Sequence, residues 1–341
     1  RCGQFEKNQS MKPNLFRWAT SELTQDAFIC WLLEWAKPEL KDELLNDLAT
    51  KFIEEISELG KIQIIDLEIR KQYKNIDIVV VINQNFAILI EDKVHTKNHS
   101  NQLSRYSDLL KEEFLEENLS LVYLKTGDQS NYRSVESKGY KTFKRSQFLN
   151  LLKQGKENGI SNEIFIDFLN YLQNIDNSVN SFKTLPIDKW HWDSWKGFYI
   201  ELQKRLGKGE WDYVPQKNGG FLGFWWHWNY MEHNGNGFDY YLQLEHGKFC
   251  FKISPYDVHS NYEIRDYFRN KLFQQASKHN INIKRNGRCV KGKTKTMTVG
   301  KLTSSYIIRN SNNIIELDQT VEKIREIEQL MNEIKTAHNT V

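Results

Sequence analysis

NIDIVVVINQNFAILIEDK, running from Asn75 to Lys93, decides how this chain is read. Two apolar runs, Ile76 to Ile82 and Phe86 to Ile90, flank the turn-prone Asn83-Gln84-Asn85, so they read as adjacent strands of a buried hairpin. Asp77 stands at the start of the first run, and Glu91-Asp92-Lys93 closes the second. Side chains alternate faces along a strand, so Glu91 and Lys93 share one side and Asp92 takes the other. Asp77 sits at the matching end of the neighbouring strand. Two carboxylates and an ammonium at one end of an apolar sheet are unfavourable as mere packing, because buried charges need partners or a metal. A Mg2+ ion would accommodate them.

Upstream, ATSELTQDAFICWLLEWA from Ala19 to Ala36 opens on the helix-start signal Thr20-Ser21. Its apolar residues fall at helical spacing: Leu23, Ala27, Cys30 and Trp31 on one stripe, with Phe28, Leu32 and Trp35 widening it. Glu22 lies in the first turn, where an acid gains from the helix dipole whatever else it does. Downstream, NQLSRYSDLLKEEF sets Gln102 and Tyr106 four apart on one helix face, beside an apolar stripe of Leu103, Leu109 and Leu110. That polar pair is either a solvated face or a contact for phosphate. His95 and His99 lie in the loop VHTKNHSN with no Cys or third His nearby, so they read as phosphate contacts or incidental residues rather than a zinc pair.

An acid on one strand followed by Glu-X-Lys on the next resembles the signature of the PD-(D/E)XK nuclease superfamily, with Ile76 where that family's loosely kept Pro would stand. The words SELTQDAFICWLLEWA and IEDKVHTKNHSNQLSRY resemble a bacterial branch of it that mostly lacks an assigned role. The resemblance implies an α/β fold with a restriction-endonuclease-like core, a mixed sheet flanked by helices. It also implies a Mg2+-dependent deoxyribonuclease that hydrolyses phosphodiester bonds, with Mn2+ able to replace Mg2+ and RNA left open beside DNA. On this resemblance Asp77 and Glu91 are metal ligands and Glu22 an additional ligand or water-mediated contact. Lys93 would orient or help activate the attacking water and stabilise negative charge, and Gln102 and Tyr106 would touch phosphate or orient Lys93. Removing Asp77 or Lys93 is expected to abolish cleavage without loss of stability, because charge clustered for function is strained.

Two other classes stay open. One is an inactive nucleic-acid-binding or regulatory protein on a nuclease fold; against it, every core position keeps competent chemistry where decay commonly leaves Ala, Ser or Asn. The other is an enzyme using the same metal site on a different phosphate or sugar substrate; the loop HTKNHSN and a basic run near the C-terminus favour a polyanion instead.

At 341 residues the chain is long for one domain and ample for two, given the usual ~100–200 residues per domain. A formal charge of +3 is too small to argue for nucleic acid by itself. Cys2, Cys30, Cys250 and Cys289 have neither metal-ligand spacing nor a disulfide-rich pattern, which suits a reducing compartment. No apolar stretch approaches the ~20 residues of a membrane span and no signal-peptide core opens the chain, so a cytoplasmic protein without membrane contact is expected. The chain starts on Arg1 with its first Met at Met11, which reads as a processed form or a piece of something longer.

Residues 1–176 are expected to form the nuclease-like domain. Helical patterns cover 21–35 and 40–59, strands 62–72 and 119–126, a loop 127–139, a short strand 140–143, and helices 145–154 and 160–175. DNSVNSF, Asp176 to Phe182, is the expected linker. Residues 183–341 change character and suggest a second, smaller α+β domain on an antiparallel sheet, binding substrate or a partner. Trp190, Trp192, Trp195, Trp211, Trp225, Trp226 and Trp228 crowd this region, and FLGFWWHWNY, Phe221 to Tyr230, reads as a strand aromatic on both faces. Such aromatics suit a compact core better than base stacking. Further strands are expected at 240–245 and 248–253, and a helix at 262–279. KRNGRCVKGKTK carries Lys284, Arg285, Arg288, Lys291, Lys293 and Lys295 with no acid, and is the candidate phosphate contact outside the core. A last helix, Glu316 to Ile334, aligns Val321, Ile324, Ile327, Leu330 or Met331 and Ile334 in a stripe that would dock on its own domain or form a homodimer.

Overall fold

The computed structural model describes residues 13–339 apart from 20, 42, 58–59, 95–100, 217–218 and 287–291, and divides into two units, Arg1–Asn177 and Ser178–Val341. The first unit opens with helices α1 (Ser21–Glu34) and α2 (Leu44–Ile56). Three antiparallel strands follow: β1 (Leu67–Tyr73), β2 (Ile76–Ile82) and β3 (Phe86–Lys93). Helix α3 (Gln102–Lys111) then crosses to β4 (Leu119–Lys125), which runs parallel to β3. A short helix α4 (Arg133–Glu136) leads to β5 (Lys141–Lys144), parallel to β4, and α5 (Arg145–Glu157) and α6 (Glu163–Asn180) complete the series. The result is a five-stranded mixed sheet in the order β1-β2-β3-β4-β5, flanked by helices.

Both faces of this sheet are covered, which is why β2 and β3 read as continuous apolar runs rather than alternating ones. Ile78, Val80, Ile88, Ile90 and Val122 pack on one face with Phe28, Phe52, Phe148 and Phe168 from the helices. Val79, Val81, Leu89 and Tyr123 pack on the other with Leu103, Tyr106 and Leu110 of α3. The hairpin turn uses Asn83 and Gln84 with φ of 53° and 59°, a left-handed conformation that Asn tolerates well.

Several expectations need correction. The buried face of α1 is Phe28, Ile29, Leu32 and Leu33, while Leu23 is 57% exposed and Ala27 is exposed. The stripe rotates because the polar Gln25 and Asp26 are themselves buried against the sheet. Helix α2 starts at Leu44, after a separate 3-10 turn at Pro38–Leu40, and β1 starts at Leu67 rather than 62. The expected loop 127–139 contains α4. Asp176 to Phe182 is helical, because α6 continues to Asn180 and a 3-10 turn, Ser181–Lys183, buries Phe182.

The second unit begins with α7 (Trp192–Leu206), followed by β6 (Glu210–Val214), β7 (Phe221–His233), β8 (Asn236–Glu245) and β9 (Lys248–Pro255). Then come α8 (Asn261–Lys278), β10 (Ile283–Arg285), β11 (Met297–Leu302) and α9 (Leu317–Asn339). Its six strands lie in the order β10-β11-β9-β8-β7-β6, and every pairing is antiparallel. A register shift between Trp226 and Asn229, with His227 at φ 60°, breaks the alternation of β7. Trp226 therefore enters the core at 1% exposure, whereas Trp228 lies outside at 51% and stacks on Tyr241 with ring centroids 3.8 Å apart. The α9 stripe, Val321, Ile324, Ile327, Leu330, Met331 and Ile334, is buried in this unit's own core. Among the described residues no helix is long and apolar enough to cross a membrane.

Candidate active site

The β2–β3 pairing ends at Ile78 opposite Ile90, so Asp77 and Glu91 each stand one residue beyond the last apolar pair. The β3–β4 register sets Glu91 beside Tyr123 and Lys93 beside Lys125, on the α3 side of the sheet. Lys93 Nζ lies 2.6 Å from Glu91 Oε1 and 3.4 Å from Asp77 Oδ2. It also donates to the Asp92 carbonyl at 3.0 Å, and the Asp92 N–H donates to Asp77 Oδ2 at 3.0 Å. From α3, Gln102 Nε2 donates to Glu91 Oε1 at 2.8 Å and to Tyr106 Oη at 3.1 Å. Glu22 of α1 reaches the end of β3, where its Oε1 accepts the Val94 N–H at 3.3 Å. The structure thus gathers Asp77, Glu91, Lys93, Gln102 and Tyr106 in one connected group, with Glu22 at its margin.

Electrostatics follow from burial. Glu91 is fully buried, and that burial, with the Asp77 charge second, pushes its carboxyl up to about 7 against the pull of Lys93. For Lys93, burial acts to lower the pKa, but the hydrogen bond and charge of Glu91, then Asp77 and Glu22, outweigh it and hold the ammonium above its usual range. Lys93 is therefore a cation and a hydrogen-bond donor. Lys125 is also buried, and burial pushes it down to about 8 although the charges of Glu22, Asp128 and Asp92 oppose the shift.

The opposite face holds Asp92, on the side expected of it, together with Gln25, Asp26 and Thr126, which no sequence motif singles out. Asp92 is 1% exposed and its Oδ1 accepts from Gln25 Nε2 at 2.5 Å. Gln25 Oε1 in turn accepts from Thr126 Oγ1 at 2.6 Å, and the Thr126 carbonyl accepts from Arg145 Nη1 at 2.9 Å. Asp26 is within hydrogen-bonding reach of Asp92; burial first and the Asp77 charge second raise it to about 6. Burial, then the Asp26 charge, raise Asp92 well above the carboxylate range. Gln72, another residue passed over, sits at φ 55° in β1 and donates to Asp77 Oδ1 at 3.3 Å. In sequence Gln25-Asp26 are marked only by standing directly before the unbroken apolar run Ala27 to Leu33.

The donor set can be tested against a metal ion. Glu91 Oε2 is buried and no hydrogen-bond donor among the described residues reaches it, leaving an acceptor next to Asp77. Among the described residues no three His, Cys, Asp or Glu side chains converge as a metal-binding group. Hard divalent cations that keep several waters need only one or two carboxylates, so Asp77 and Glu91 fit such an ion.

The remaining sequence candidates belong to the second unit or fall outside the described residues. Lys284 and Arg285 are exposed in β10 of the second unit, where the Arg285 guanidinium lies 5.8 Å from the centre of the Phe273 ring. Lys293 and Lys295 are exposed before β11. Arg288, Lys291, His95 and His99 lie outside the described residues.

A model of the PD-(D/E)XK nuclease superfamily matches residues 13–170, nearly all of the first unit. The match takes in every residue of the cluster and bears out the resemblance read from the sequence. No curated protein and no solved structure matches the chain. Nucleases of this superfamily generally use divalent metal ions.

Proposed function

We propose that this chain, whose first unit is of the PD-(D/E)XK nuclease superfamily, is a metal-dependent nuclease hydrolysing phosphodiester bonds in DNA. The observation that supports the reading most is the Asp77–Lys93–Glu91 cluster, buried at one end of β2 and β3 within the matched segment. Asp77 and Glu91 would hold Mg2+, with Mn2+ as substitute and Glu22 as a further ligand or water-mediated contact. When bound, the ion supplies an activated water and offsets charge on the reacting phosphate.

The chain's own groups account for the rest. Gln102 fixes Glu91 by its 2.8 Å hydrogen bond and ties it to Tyr106, so the carboxylate keeps one orientation. Lys93 enters the reaction protonated, since Glu91 and Asp77 hold its charge. It donates hydrogen bonds to a phosphate oxygen and stabilises the negative charge that grows there, and does not accept the proton of the attacking water. Lys284, Arg285, Arg288, Lys291, Lys293 and Lys295 of the second unit would contact backbone phosphates.

Incubation of the pure protein with plasmid, linear DNA, single-stranded DNA and RNA, in EDTA, Mg2+ or Mn2+, tests this reading. Cation-dependent loss of DNA is expected. Intact nucleic acid under all conditions would point instead to an inactive binding protein.

A further inference from the structure

We infer that Gln25, Asp26 and Asp92 are positioning residues, a bracket on the back of the sheet that sets Asp77 and Lys93 on the front; this rests on the nuclease reading above. Asp92 is the middle residue of Glu91-Asp92-Lys93, and its two backbone groups serve the front face. Its N–H holds Asp77 Oδ2 and its carbonyl holds Lys93 Nζ, both at 3.0 Å. A small shift of this one residue would loosen both hydrogen bonds together.

The side chain of Asp92 is what prevents the shift. It points away from the cluster and is gripped by Gln25, itself 1% exposed and held by Thr126. Asp26, 2% exposed, lies beside it. The same helix supplies Glu22 to the Val94 N–H, so α1 holds β3 on either side of Lys93. Pure packing would not select this arrangement. The surrounding face is Ile78, Ile90, Val122, Leu124 and Phe28, and replacing a buried polar cluster by apolar residues of similar size is often neutral or stabilising. Polar partners that orient a metal ligand are instead worth roughly 10–100-fold in metal affinity or activity.

The test uses the full chain with Asp92→Leu, Gln25→Met and Asp92→Asn, measuring Mn2+ affinity by calorimetry, melting in EDTA, and kcat and KM on linear DNA. Asp92→Leu and Gln25→Met should melt no lower than the parent, yet lose roughly 10-fold or more in both Mn2+ affinity and kcat with KM little changed. Asp92→Asn keeps an oxygen for Gln25 and gains a donor for Asp26, so it should stay close to the parent in both. Parental Mn2+ affinity and kcat in a folded Asp92→Leu would overturn the bracket while leaving the nuclease reading intact. Should Asp92→Leu fail to fold, Gln25→Met decides the matter by the same criteria. A parent that binds no Mn2+ and cuts nothing removes the nuclease reading, and this inference with it.

Discussion

Lys93 Nζ lies 2.6 Å from Glu91 Oε1, and Glu91 has no solvent exposure, so the ammonium is the counter-charge that opposes the effect of burial on this carboxylate. Asp77 is placed differently. It is partly exposed, 3.4 Å from the same ammonium, and its charge raises the Glu91 pKa.

The two substitutions that the sequence treats alike therefore separate. Lys93→Ala leaves Glu91 buried without its cation and should destabilise the protein at pH 8 by about 3–5 kcal/mol, less at pH 5 where Glu91 can protonate. Asp77→Ala keeps the Lys93–Glu91 pair and removes a repulsion, so its melting temperature should equal or exceed the parent's. Denaturant unfolding of both variants in EDTA checks the contrast; equal destabilisation would contradict it.

A second prediction concerns pH. Asp26 is raised to about 6 and Glu91 to about 7, both above their unfolded values. For acids raised on folding, the stabilising contribution is complete below the unfolded pKa and is lost as pH climbs through the folded one. In EDTA these groups should lower the melting temperature between about pH 4 and 7. Asp77→Asn removes a cause of both shifts, so the advantage of that variant over the parent should grow across the same interval. Mg2+ should raise the parent's melting temperature more at pH 8 than at pH 5, because its ligands must be ionised. A Mg2+ effect larger at pH 5 would count against Asp77 and Glu91 as ligands.

The basic segment offers a third. Neutralising Lys291, Lys293 and Lys295 together should weaken DNA binding regardless of sequence and reduce the log–log salt slope by roughly 0.7–0.9 for each phosphate that is no longer neutralised. Saturating DNA should restore most of the cleavage rate, since the Asp77 site is untouched. Filter binding from low to high salt reads the slope directly; an unchanged slope means the segment is only a solvated loop.

Much of the site was legible because it depends on short-range rules. The period of two along β3 places Glu91 and Lys93 on one face and Asp92 on the other, and the Asn83–Asn85 turn brings Asp77 alongside. The four-residue spacing of Gln102 and Tyr106 likewise predicts their contact. What escaped depends on distant partners. Gln25 and Asp26 look like solvent-facing residues of α1 until Asp92, 67 positions from Gln25, supplies a reason to bury them. Lys125 gains meaning only when β4 pairs it with Lys93. Within FWWHW, aromatics on both sides hide the bulge at His227, which alone decides that Trp226 turns inward and Trp228 outward.

On the proposed function Asp77, Glu91 and Lys93 form one cation-dependent hydrolytic site. Its most direct test is the cleavage rate of end-labelled linear DNA in Mg2+, parent against Glu91→Gln, which keeps the shape and the Gln102 contact but removes the charge. The parent should cut in Mg2+ and not in EDTA, and the variant should fall to background while remaining folded. Undiminished cutting by Glu91→Gln, or equal cutting in EDTA, would contradict the account.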